Sequence, residues 1–376
     1  MAPDLDELRA AFDREVERAQ GWPEGAPWVR DAAVALPRHQ FAPDRLWHWD
    51  GHTYLPVDRA EAPDRWAQLV YGGLHDAAVT QVIDGEATSS LSCETVVADM
   101  LDCLSPSAGH RVLELGTGTG RNAALLAHRA GPGRVVTVET DASLAETARQ
   151  RLATAGAEVE VVVGDGAKGY PPGAPYERVI STYAVETIPG PWLEQTRPGG
   201  RIVAPWGHLG LIALDSDGTC ARGRIQGLAQ FMPARGLSGG PTNRFLQVRD
   251  GREPDDEQRA DRDLAPLHQD WHLRFAIRVL LPDVYLTTKV DDDGTNVWLN
   301  DAASWAGLYA QGDGSILICQ GGTRRLADEL DRAWGWWAAH DEPDLYDWGM
   351  TVTPSDQWMW VGDEKNRVGS GATGAP

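Results

Sequence analysis

The sequence has few cysteines, little positive charge and no long apolar run. Its 376 residues include four cysteines, which form no CxxC pair and lie near no histidine at zinc-ligand spacing. We therefore predict free thiols in a reducing compartment and no metal site. No apolar stretch approaches the roughly 18 residues that a membrane span needs, and acidic residues interrupt the apolar periodicity of the N-terminal segment. These features predict a cytoplasmic protein without a signal peptide.

Basic side chains are outnumbered, with 34 Lys and Arg against 55 Asp and Glu, which gives a formal net charge of −21 at pH 7. Such a surface repels phosphate backbones and anionic lipids, so we expect neither a nucleic-acid nor a membrane partner. The remaining composition, 42% hydrophobic and 24% charged, is that of a globular chain. A soluble enzyme is the class that these values favour.

The length exceeds what one hydrophobic core usually covers, so we predict two domains. Residues 86–211 alternate between apolar runs and helical patterns, which predicts a mostly parallel sheet with helices on both faces. Residues 1–85 form a helical and irregular segment before this core. Residues 212–366 contain short β-type runs, for example Phe275–Leu281, and one clear helix near 323–340, and predict a smaller α+β domain. The low-complexity residues 367–376 predict a disordered tail.

The segment VLELGTGTG at Val112–Gly120 is the sharpest motif. A strand ends close to an acidic residue, glycines recur at every second position, and a helix follows. Glycine permits a tight turn and a close approach to a ligand, while a helix N-terminus offers unpaired N–H groups. An acidic residue opposes a diphosphate but favours a cation, so a sulfonium cofactor fits better than NAD. The predicted cofactor contacts in this loop are Glu114, Gly116, Thr117, Gly118 and Gly120.

Two further acidic residues follow the next strands. Glu139 ends the run VVTVE, where a carboxylate can accept both hydroxyls of a ribose. Asp165 and Gly166 lie in GDG after the following strand, where the carboxylate can accept from an adenine amino group. Each residue alone is equally well explained as a surface or capping residue. Together, in this order at successive strand ends, they predict S-adenosylmethionine binding, with S-adenosylhomocysteine as product.

At this point the sequence resembles the protein-L-isoaspartate O-methyltransferase family between about residues 28 and 210. The similarity lies in the glycine loop and four other segments: PRHQFAP at Pro37–Pro43, GEATSSLS at Gly85–Ser92, GDGAKGYPPGAPYERV at Gly164–Val179 and RPGGRIVAPWG at Arg197–Gly207. The resemblance implies a Rossmann-like fold with an added C-terminal α+β domain. It also implies methyl transfer from S-adenosylmethionine to a carboxylate of aspartate or isoaspartate in a peptide.

The resemblance assigns roles to the TSSLS segment. Ser90 matches the catalytic serine of the family and Thr88 the threonine of that motif, while Ser89, Leu91 and Ser92 become substrate contacts. A structural alternative is that these hydroxyls cap the helix beginning near Glu94. A carboxylate nucleophile is already ionised at neutral pH, so its positioning by a hydroxyl is sufficient and no general base is needed.

Two departures from the family bear on the substrate. The family's AAAP strap is replaced by STYAVETIP at Ser181–Pro189, so Tyr183 and Val185 become the predicted substrate contacts. The C-terminal region is expected to be absent from repair enzymes. A branch of the family that modifies ribosomally synthesised peptides (lanthipeptides and graspetides) is more similar, with serine-rich loops preceded by VTQ, here Val79–Gln81, and a long C-terminal extension. Such enzymes methylate an aspartate of a macrocyclic precursor, and the ester then collapses to aspartimide or isoaspartate.

The C-terminal region has a weaker signal. Four large apolar side chains share one face of the helix near 323–340, which predicts packing on a sheet or, alternatively, the border of a peptide groove: Leu326, Leu330, Trp334 and Trp337. The same two interpretations, packing within the domain or bordering a peptide groove, apply to Trp358 and Trp360. Asp291–Asp293 precede a glycine and predict a hairpin turn. His39 is predicted to be a structural hydrogen-bonding residue.

Three functions remain open from the sequence. The first is aspartyl O-methylation of a cyclised peptide. The second is repair methylation of isoaspartyl residues in damaged proteins. The third is a non-catalytic S-adenosylmethionine-binding partner in a biosynthetic complex.

Overall fold

The protein is described by a computed structural model that covers residues 3–207, 209–234 and 244–368. The chain divides into two compact units. Among the described residues, the first unit comprises 3–207, 209–223, 229–234 and 352–356, and the second comprises 224–228, 244–351 and 357–368. Within the same described ranges, no helix is both long and apolar enough to cross a bilayer.

The first unit contains seven helices and ten strands among its described residues. The helices are α1 Leu5–Arg18, α2 Trp28–Ala35, α3 Pro63–Tyr71, α4 Glu94–Leu104, α5 Arg121–Ala130, α6 Ala142–Thr154 and α7 Gly190–Gln195. The strands are β1 Arg45–Trp49, β2 Tyr54–Asp58, β3 Ala78–Ile83, β4 Glu86–Leu91, β5 Val112–Leu115, β6 Val135–Glu139, β7 Val159–Val163, β8 Tyr176–Ser181, β9 Thr196–Trp206 and β10 Gly210–Ser216. Strand β11, Ala221–Leu228, crosses from the first unit into the second.

The central sheet of the first unit has the strand order β10-β9-β8-β5-β6-β7. Its strands are parallel except β10, which pairs antiparallel with β9. Helices α4, α5 and α6 pack against the sheet, and every residue of β5 is buried. This is the Rossmann-like arrangement that the alternating pattern predicts, and it brings the carboxyl ends of β5, β6, β7 and β8 to one edge, where such folds bind ligands. The domain boundary predicted after residue 211 is wrong, because it falls inside β10.

A four-stranded antiparallel sheet, in the order β2-β1-β3-β4, precedes the parallel one. Strands β3 and β4 form a hairpin whose turn, Asp84–Gly85, has positive φ at both residues. An Asp-Gly pair with this conformation is a type I′ turn, which matches the twist of a hairpin. The TSS residues therefore lie in a strand and do not cap α4, which is preceded by Cys93. The predicted boundary between 85 and 86 separates the two strands of this hairpin.

The second unit is an α+β domain, as the sequence predicts. Its helices are α8 Phe245–Arg249, α9 Ala265–Gln269, α10 Trp271–Leu280 and α11 Leu326–Ala339. Its strands are β12 Asp256–Ala260, β13 Tyr285–Asp291, β14 Gly294–Asn300, β15 Trp305–Ala310, β16 Ile316–Gly321, β17 Trp348–Val352, β18 Gln357–Val361 and β19 Arg367–Val368. The last residue of β17, Val352, belongs to the first unit. Five of these strands form an antiparallel sheet in the order β12-β16-β15-β14-β13, against which α11 packs.

Several expectations for this region need correction. The predicted strand Phe275–Leu281 lies in α10 as far as Leu280, and Leu281 is the residue directly after the helix. The Asp270 side chain caps this helix by accepting from the His272 and Leu273 N–H groups, which favours the helical conformation. Arg367–Val368, placed in the disordered tail, pair with β18, and residues 369–376 lie outside the described residues. The hairpin at Asp291–Asp293 is confirmed, since Asp291 pairs with Gly294.

The tryptophans of the second unit mostly pack within it. Trp337 and Trp360 are buried, so in this conformation they do not border a groove. Trp334 is half-buried beneath the guanidinium of Arg262, and Trp358 is half-buried beneath that of Arg367. The packing interpretation therefore accounts for these residues without a ligand.

Candidate cofactor and substrate site

The glycine loop turns directly after β5. Gly116, Gly118 and Gly120 have φ values of 97°, 53° and 88°, a region that residues with a Cβ atom rarely adopt. A Cβ at Gly116 would lie 2.5 Å from Thr182 Oγ1, so this position also lacks space for a side chain. Helix α5 begins at Arg121, directly after the loop. The loop thus presents backbone at the ligand-binding edge of the sheet.

Glu139 joins this loop to the end of β6. Its buried carboxylate accepts hydrogen bonds from the Gly118 N–H at 2.9 Å and the Asp141 N–H at 3.1 Å. Each carboxylate oxygen has a second acceptor position. The side chain therefore combines a fixed orientation with unused acceptor capacity, which is what a ribose contact requires.

Glu114 lies beneath the loop and has no exposed surface. Its carboxylate accepts from Asn122 Nδ2 at 2.7 Å and from Thr137 Oγ1 at 2.6 Å, and Thr137 also bonds to the buried Thr117 hydroxyl at 2.7 Å. Burial raises the pKa of Glu114 to about 7, although both hydrogen bonds oppose this shift. The sequence predicts that Glu114 and Thr117 contact the cofactor. In this structure both side chains are buried beneath the loop and have almost no surface for such a contact. They form the base of the loop.

Asp165 and Gly166 follow β7. The Asp165 side chain is 56% exposed and accepts from the Ala167 N–H at 3.0 Å, so Asp165 does cap a turn. The Gly166 carbonyl accepts from Trp192 Nε1 at 2.8 Å. One Asp165 carboxylate oxygen thus caps a turn while the side chain stays accessible at the sheet edge.

Tyr183, in the segment after β8, lies against both glycine motifs. A Cβ at Gly116 would be 3.1 Å from its Cδ1, and a Cβ at Gly166 would be 2.4 Å from its hydroxyl oxygen. Burial, with the nearby carboxylates of Asp165 and Glu139, raises the pKa of Tyr183. Its ring therefore lies against both glycine motifs, and the substrate contact that the sequence predicts for Tyr183 stays a prediction.

The hydroxyl-bearing strand β4 reaches the same loop. A Cβ at Gly118 would lie 3.6 Å from Ser89 Oγ and 4.0 Å from the Ser90 carbonyl oxygen. The buried Ser89 hydroxyl accepts from Thr80 Oγ1 at 3.0 Å. Ser90 is half-buried and faces the opposite side of the strand from Ser89, as alternate strand residues do. The structure thus brings the predicted catalytic strand onto the cofactor loop.

Thr88 belongs to a polar chain that the sequence did not predict. Its hydroxyl donates to Gln81 Oε1 at 2.8 Å, and Gln81 Nε2 donates to Asp141 Oδ2 at 3.0 Å. Asp141 also caps α6 and contacts Glu139 through its N–H. The VTQ motif in β3 was the available signal for Gln81, but only the hairpin register places it beside β4.

Two of the predicted substrate residues have packing roles in this conformation. Leu91 and Val185 are 3% and 2% exposed, and Leu91 belongs to the main hydrophobic core. Val185 forms backbone hydrogen bonds with Pro205 and Gly207. Ser92 is half-buried, and its carbonyl accepts from Arg38 at 2.6 Å. Leu91 and Val185 are corrected to packing residues because their side chains have almost no surface for a ligand to touch.

His39 has the structural role predicted for it. Its Nδ1 lies 2.7 Å from the Tyr71 hydroxyl, and burial lowers its pKa. Burial likewise raises the pKa of Tyr71 to about 12. A neutral histidine bonded to a neutral phenol stabilises the helical layer and is not part of the cofactor site.

The residues at the sheet edge fit S-adenosylmethionine. Gly118 provides backbone without a side chain, Glu139 provides an oriented carboxylate, and Asp165 provides an accessible one. Such a fold and donor set define a methyltransferase that uses S-adenosylmethionine.

Comparison with known proteins identifies the family. The family Protein-L-isoaspartate(D-aspartate) O-methyltransferase (PCMT) matches residues 53–219. The protein-L-isoaspartate O-methyltransferase of Methanopyrus kandleri is 36% identical over 253 residues, which cover 64% of this chain and 97% of the relative. Protein-L-isoaspartate O-methyltransferase 2 of Archaeoglobus fulgidus is 40% identical over 248 residues, covering 64% and 99%. The chain belongs to the protein-L-isoaspartate O-methyltransferase family and is a carboxyl O-methyltransferase.

A solved structure extends the likeness in fold. A protein named protein-L-isoaspartate O-methyltransferase superposes with a TM-score of 0.53 at 18% identity, covering 94% of this chain and 100% of its own. The curated relatives above are covered to 97% and 99% of their length by 64% of this chain, so most of the C-terminal region is absent from them, as expected. The solved structure aligns over 94% of this chain, so its fold includes a counterpart of that region. The presence of such a region does not distinguish between peptide tailoring and repair.

Replacing Asp165 with alanine is expected to weaken S-adenosylmethionine binding by about 1 kcal/mol, or roughly fivefold. The effect lies at the low end for a lost hydrogen-bond partner because the carboxylate is largely solvated. Isothermal titration calorimetry measures it, with Glu146→Ala on the outer face of α6 as control. Equal affinities for the variant and the unmodified protein would remove Asp165 from the cofactor site.

Tyr183→Ala is expected to weaken cofactor binding about tenfold, because it leaves a gap between Gly116 and Gly166 that costs roughly 1.4 kcal/mol. Tyr183→Phe keeps the ring and should change the affinity less than about twofold. Calorimetry separates these variants. A higher KM for peptide at unchanged cofactor affinity would instead return Tyr183 to the substrate, as first predicted.

Proposed function

We propose that this enzyme methylates the side-chain carboxylate of an aspartate in a peptide, specifically a cyclised, ribosomally made precursor. The observation that carries the proposal is the approach of β4 to the cofactor loop, with Ser89 Oγ 3.6 Å and the Ser90 carbonyl 4.0 Å from the Cβ position of Gly118. Hydroxyl groups next to a cofactor loop can hold a carboxylate by hydrogen bonds. An ionised carboxylate needs orientation and exclusion of water more than a base.

In this proposal, the residues of this chain bind and orient the peptide and the cofactor. We assign the hydrogen bond to one oxygen of the aspartate carboxylate to Ser90, because Ser90 matches the catalytic serine of the family, although the Ser89 hydroxyl is the one that faces the loop. The Thr88–Gln81–Asp141 chain holds β4 beside the end of β6. Glu139 holds the glycine loop through Gly118. S-adenosylmethionine, when bound, supplies the methyl group: an O–CH3 bond forms, the S–CH3 bond breaks, and S-adenosylhomocysteine leaves.

The methyl ester can then react with the backbone of the same peptide. The backbone nitrogen that follows the aspartate attacks the ester carbonyl, a C–N bond forms, its proton leaves with the methoxide, and methanol is released. The product is an aspartimide, which water opens to isoaspartate or aspartate. A macrocycle that holds this nitrogen near the ester raises its effective concentration, so a cyclised substrate favours this outcome.

The choice of an ordinary aspartate rests on the VTQ and TSSLS motifs and on the replaced strap. Tyr183 occupies space where the family pattern has a small residue, and its ring lies against Gly116 and Gly166. The second candidate is isoaspartyl repair, which the names of the relatives support. A non-catalytic role has little support once the chain belongs to a family of methyltransferases.

The C-terminal unit is proposed to recognise the peptide. A truncation is a poor test, because a cut after residue 211 would divide β10, and residues 229–234 and 352–356 also belong to the first unit. Recognition is better tested on the full chain.

The deciding experiment incubates the full chain with S-adenosylmethionine and, separately, an isoaspartyl peptide, the linear precursor and the cyclised precursor encoded beside the gene. Mass spectrometry follows each peptide. A gain of one methyl group and then net loss of one water on the cyclised precursor alone supports the proposal. Methylation of the isoaspartyl peptide alone would establish repair instead, and no modification of any peptide would refute both.

A further inference from the structure

Three charged side chains form a buried cluster outside the cofactor contacts. Arg38, Glu94 and Arg121 are 2%, 3% and 4% exposed. One Glu94 carboxylate oxygen accepts from Arg121 at 2.8 Å and the other from Arg38 at 3.2 Å. Two guanidinium groups therefore share one carboxylate in the interior of the first unit.

The cluster joins segments that are distant in sequence but meet at the active site. Arg38 also donates to the carbonyls of Leu91 and Ser92, at the end of β4, at 3.3 and 2.6 Å. Arg121 is the first residue of α5, directly after Gly120 of the cofactor loop. Glu94 is the first residue of α4. The shared carboxylate thus connects the end of the hydroxyl-bearing strand with the helix that ends the loop.

Burying three charged side chains costs desolvation free energy, so stability alone does not explain this cluster. Although burial opposes its ionisation, the two guanidinium groups lower the pKa of Glu94, so the carboxylate is charged. Arg121 places a positive charge at a helix N-terminus, which the helix dipole disfavours. Buried ion pairs are often replaceable by apolar residues with little loss of stability, so their fixed geometry is the property that apolar packing does not provide.

We propose that Glu94 is a positioning residue that holds the end of β4 in register with the cofactor loop through Arg38 and Arg121. The proposal rests on the proposed function, because alignment between β4 and the loop matters only if β4 holds the methyl acceptor. Small displacements of a bound reactant slow transfer strongly while leaving the affinity of either partner nearly unchanged.

The test compares the double variant Glu94→Met, Arg121→Met with the unmodified protein. This change removes the connection, keeps the formal charge of the cluster at that of Arg38, and leaves Arg38 its bonds to the carbonyls of Leu91 and Ser92. Because Arg38 stays buried without a carboxylate, we expect a lower unfolding temperature. In the folded variant we expect cofactor affinity within about twofold by calorimetry and kcat at least about tenfold lower at unchanged KM. The matched control, Asp13→Met with Arg30→Met, removes a more exposed pair between α1 and α2 and should leave kcat unchanged.

An unchanged kcat in the folded double variant would overturn the proposal, as would an equal loss in the control. If the double variant does not fold, Arg121→Lys replaces it, since it keeps the charge, and should lower kcat by a smaller factor at unchanged KM. If the unmodified enzyme methylates no peptide, the proposed function fails, and hydrogen exchange then decides this inference. Amides of residues 86–92 should exchange at least about tenfold faster in the variant, with residues 135–139 unchanged. Equal exchange in residues 86–92 would refute it.

Discussion

Replacing Ser90 with alanine is expected to slow methyl transfer about 100-fold while leaving S-adenosylmethionine affinity within twofold, because a misplaced reacting group costs about that factor. Ser90 lies in β4 with its carbonyl oxygen beside the glycine loop, and the hydrogen bonds that hold Glu139 come from Gly118 and Asp141, not from Ser90. The loss should therefore appear in kcat and not in cofactor binding. Single-turnover assays with the accepted peptide and calorimetry with the cofactor measure the two quantities.

The neighbouring serines decide whether the hydroxyl is assigned correctly. Ser89 Oγ lies nearer the Gly118 Cβ position than any atom of Ser90 does, and Ser92 follows directly after the strand. Ser89→Ala and Ser92→Ala should each reduce turnover less than Ser90→Ala. If Ser89→Ala has the largest effect, the catalytic hydroxyl is Ser89 and the match to the family motif is displaced by one residue. Lost cofactor affinity in Ser90→Ala would make Ser90 structural.

Glu114→Gln is expected to remove a pH dependence of stability of about 3 kcal/mol between pH 4.5 and 7. Burial raises the pKa of Glu114 from 4.5 to about 7 in the folded protein. Between these values the folded state keeps a proton that the unfolded state has lost, so the contribution of this group to stability falls as pH rises and stays reduced above pH 7. Glutamine carries no titrating proton and has no such loss.

Urea unfolding of the unmodified protein and the variant at several pH values measures this difference. The variant should gain stability relative to the unmodified protein as pH rises from 4.5 to 7.5, and no further gain should follow above that. Glu146→Gln, on the exposed side of α6, is the control and should show a difference that does not change with pH. A flat difference for Glu114→Gln as well would show that Glu114 is ionised throughout and that its burial does not govern its protonation.

The sequence predicted the alternation of strands and helices along the parallel core well, because local patterns determine these elements. The glycine loop, the helix that follows it and Glu139 at the end of a strand all lie where the sequence analysis places them. Errors arose where a local pattern is ambiguous. An apolar run such as Phe275–Leu281 fits a strand or a helix, and the capping side chain of Asp270 decides for the helix.

For the candidate site, too, the sequence predicts one property and leaves another open. Which residue types gather at the sheet edge follows from the chain, because parallel strands carry their carboxyl ends to one side. Which of them face a ligand does not follow, since exposure depends on neighbours that are distant in sequence. Glu114 was predicted to meet a cation, yet Asn122 and Thr137 enclose it. Tyr183 was assigned to the substrate, yet it packs against Gly116 and Gly166.

By itself, the amino-acid sequence determined the Rossmann-like core, the cofactor class and the family, since spaced glycines and acidic residues at strand ends keep their meaning wherever the rest of the chain lies. Tertiary structure alone decided the approach of the β3–β4 hairpin to the cofactor loop and the burial of Glu94 between two arginines. These contacts join residues up to 56 positions apart in sequence, and no local pattern specifies which distant partner a buried charge will find.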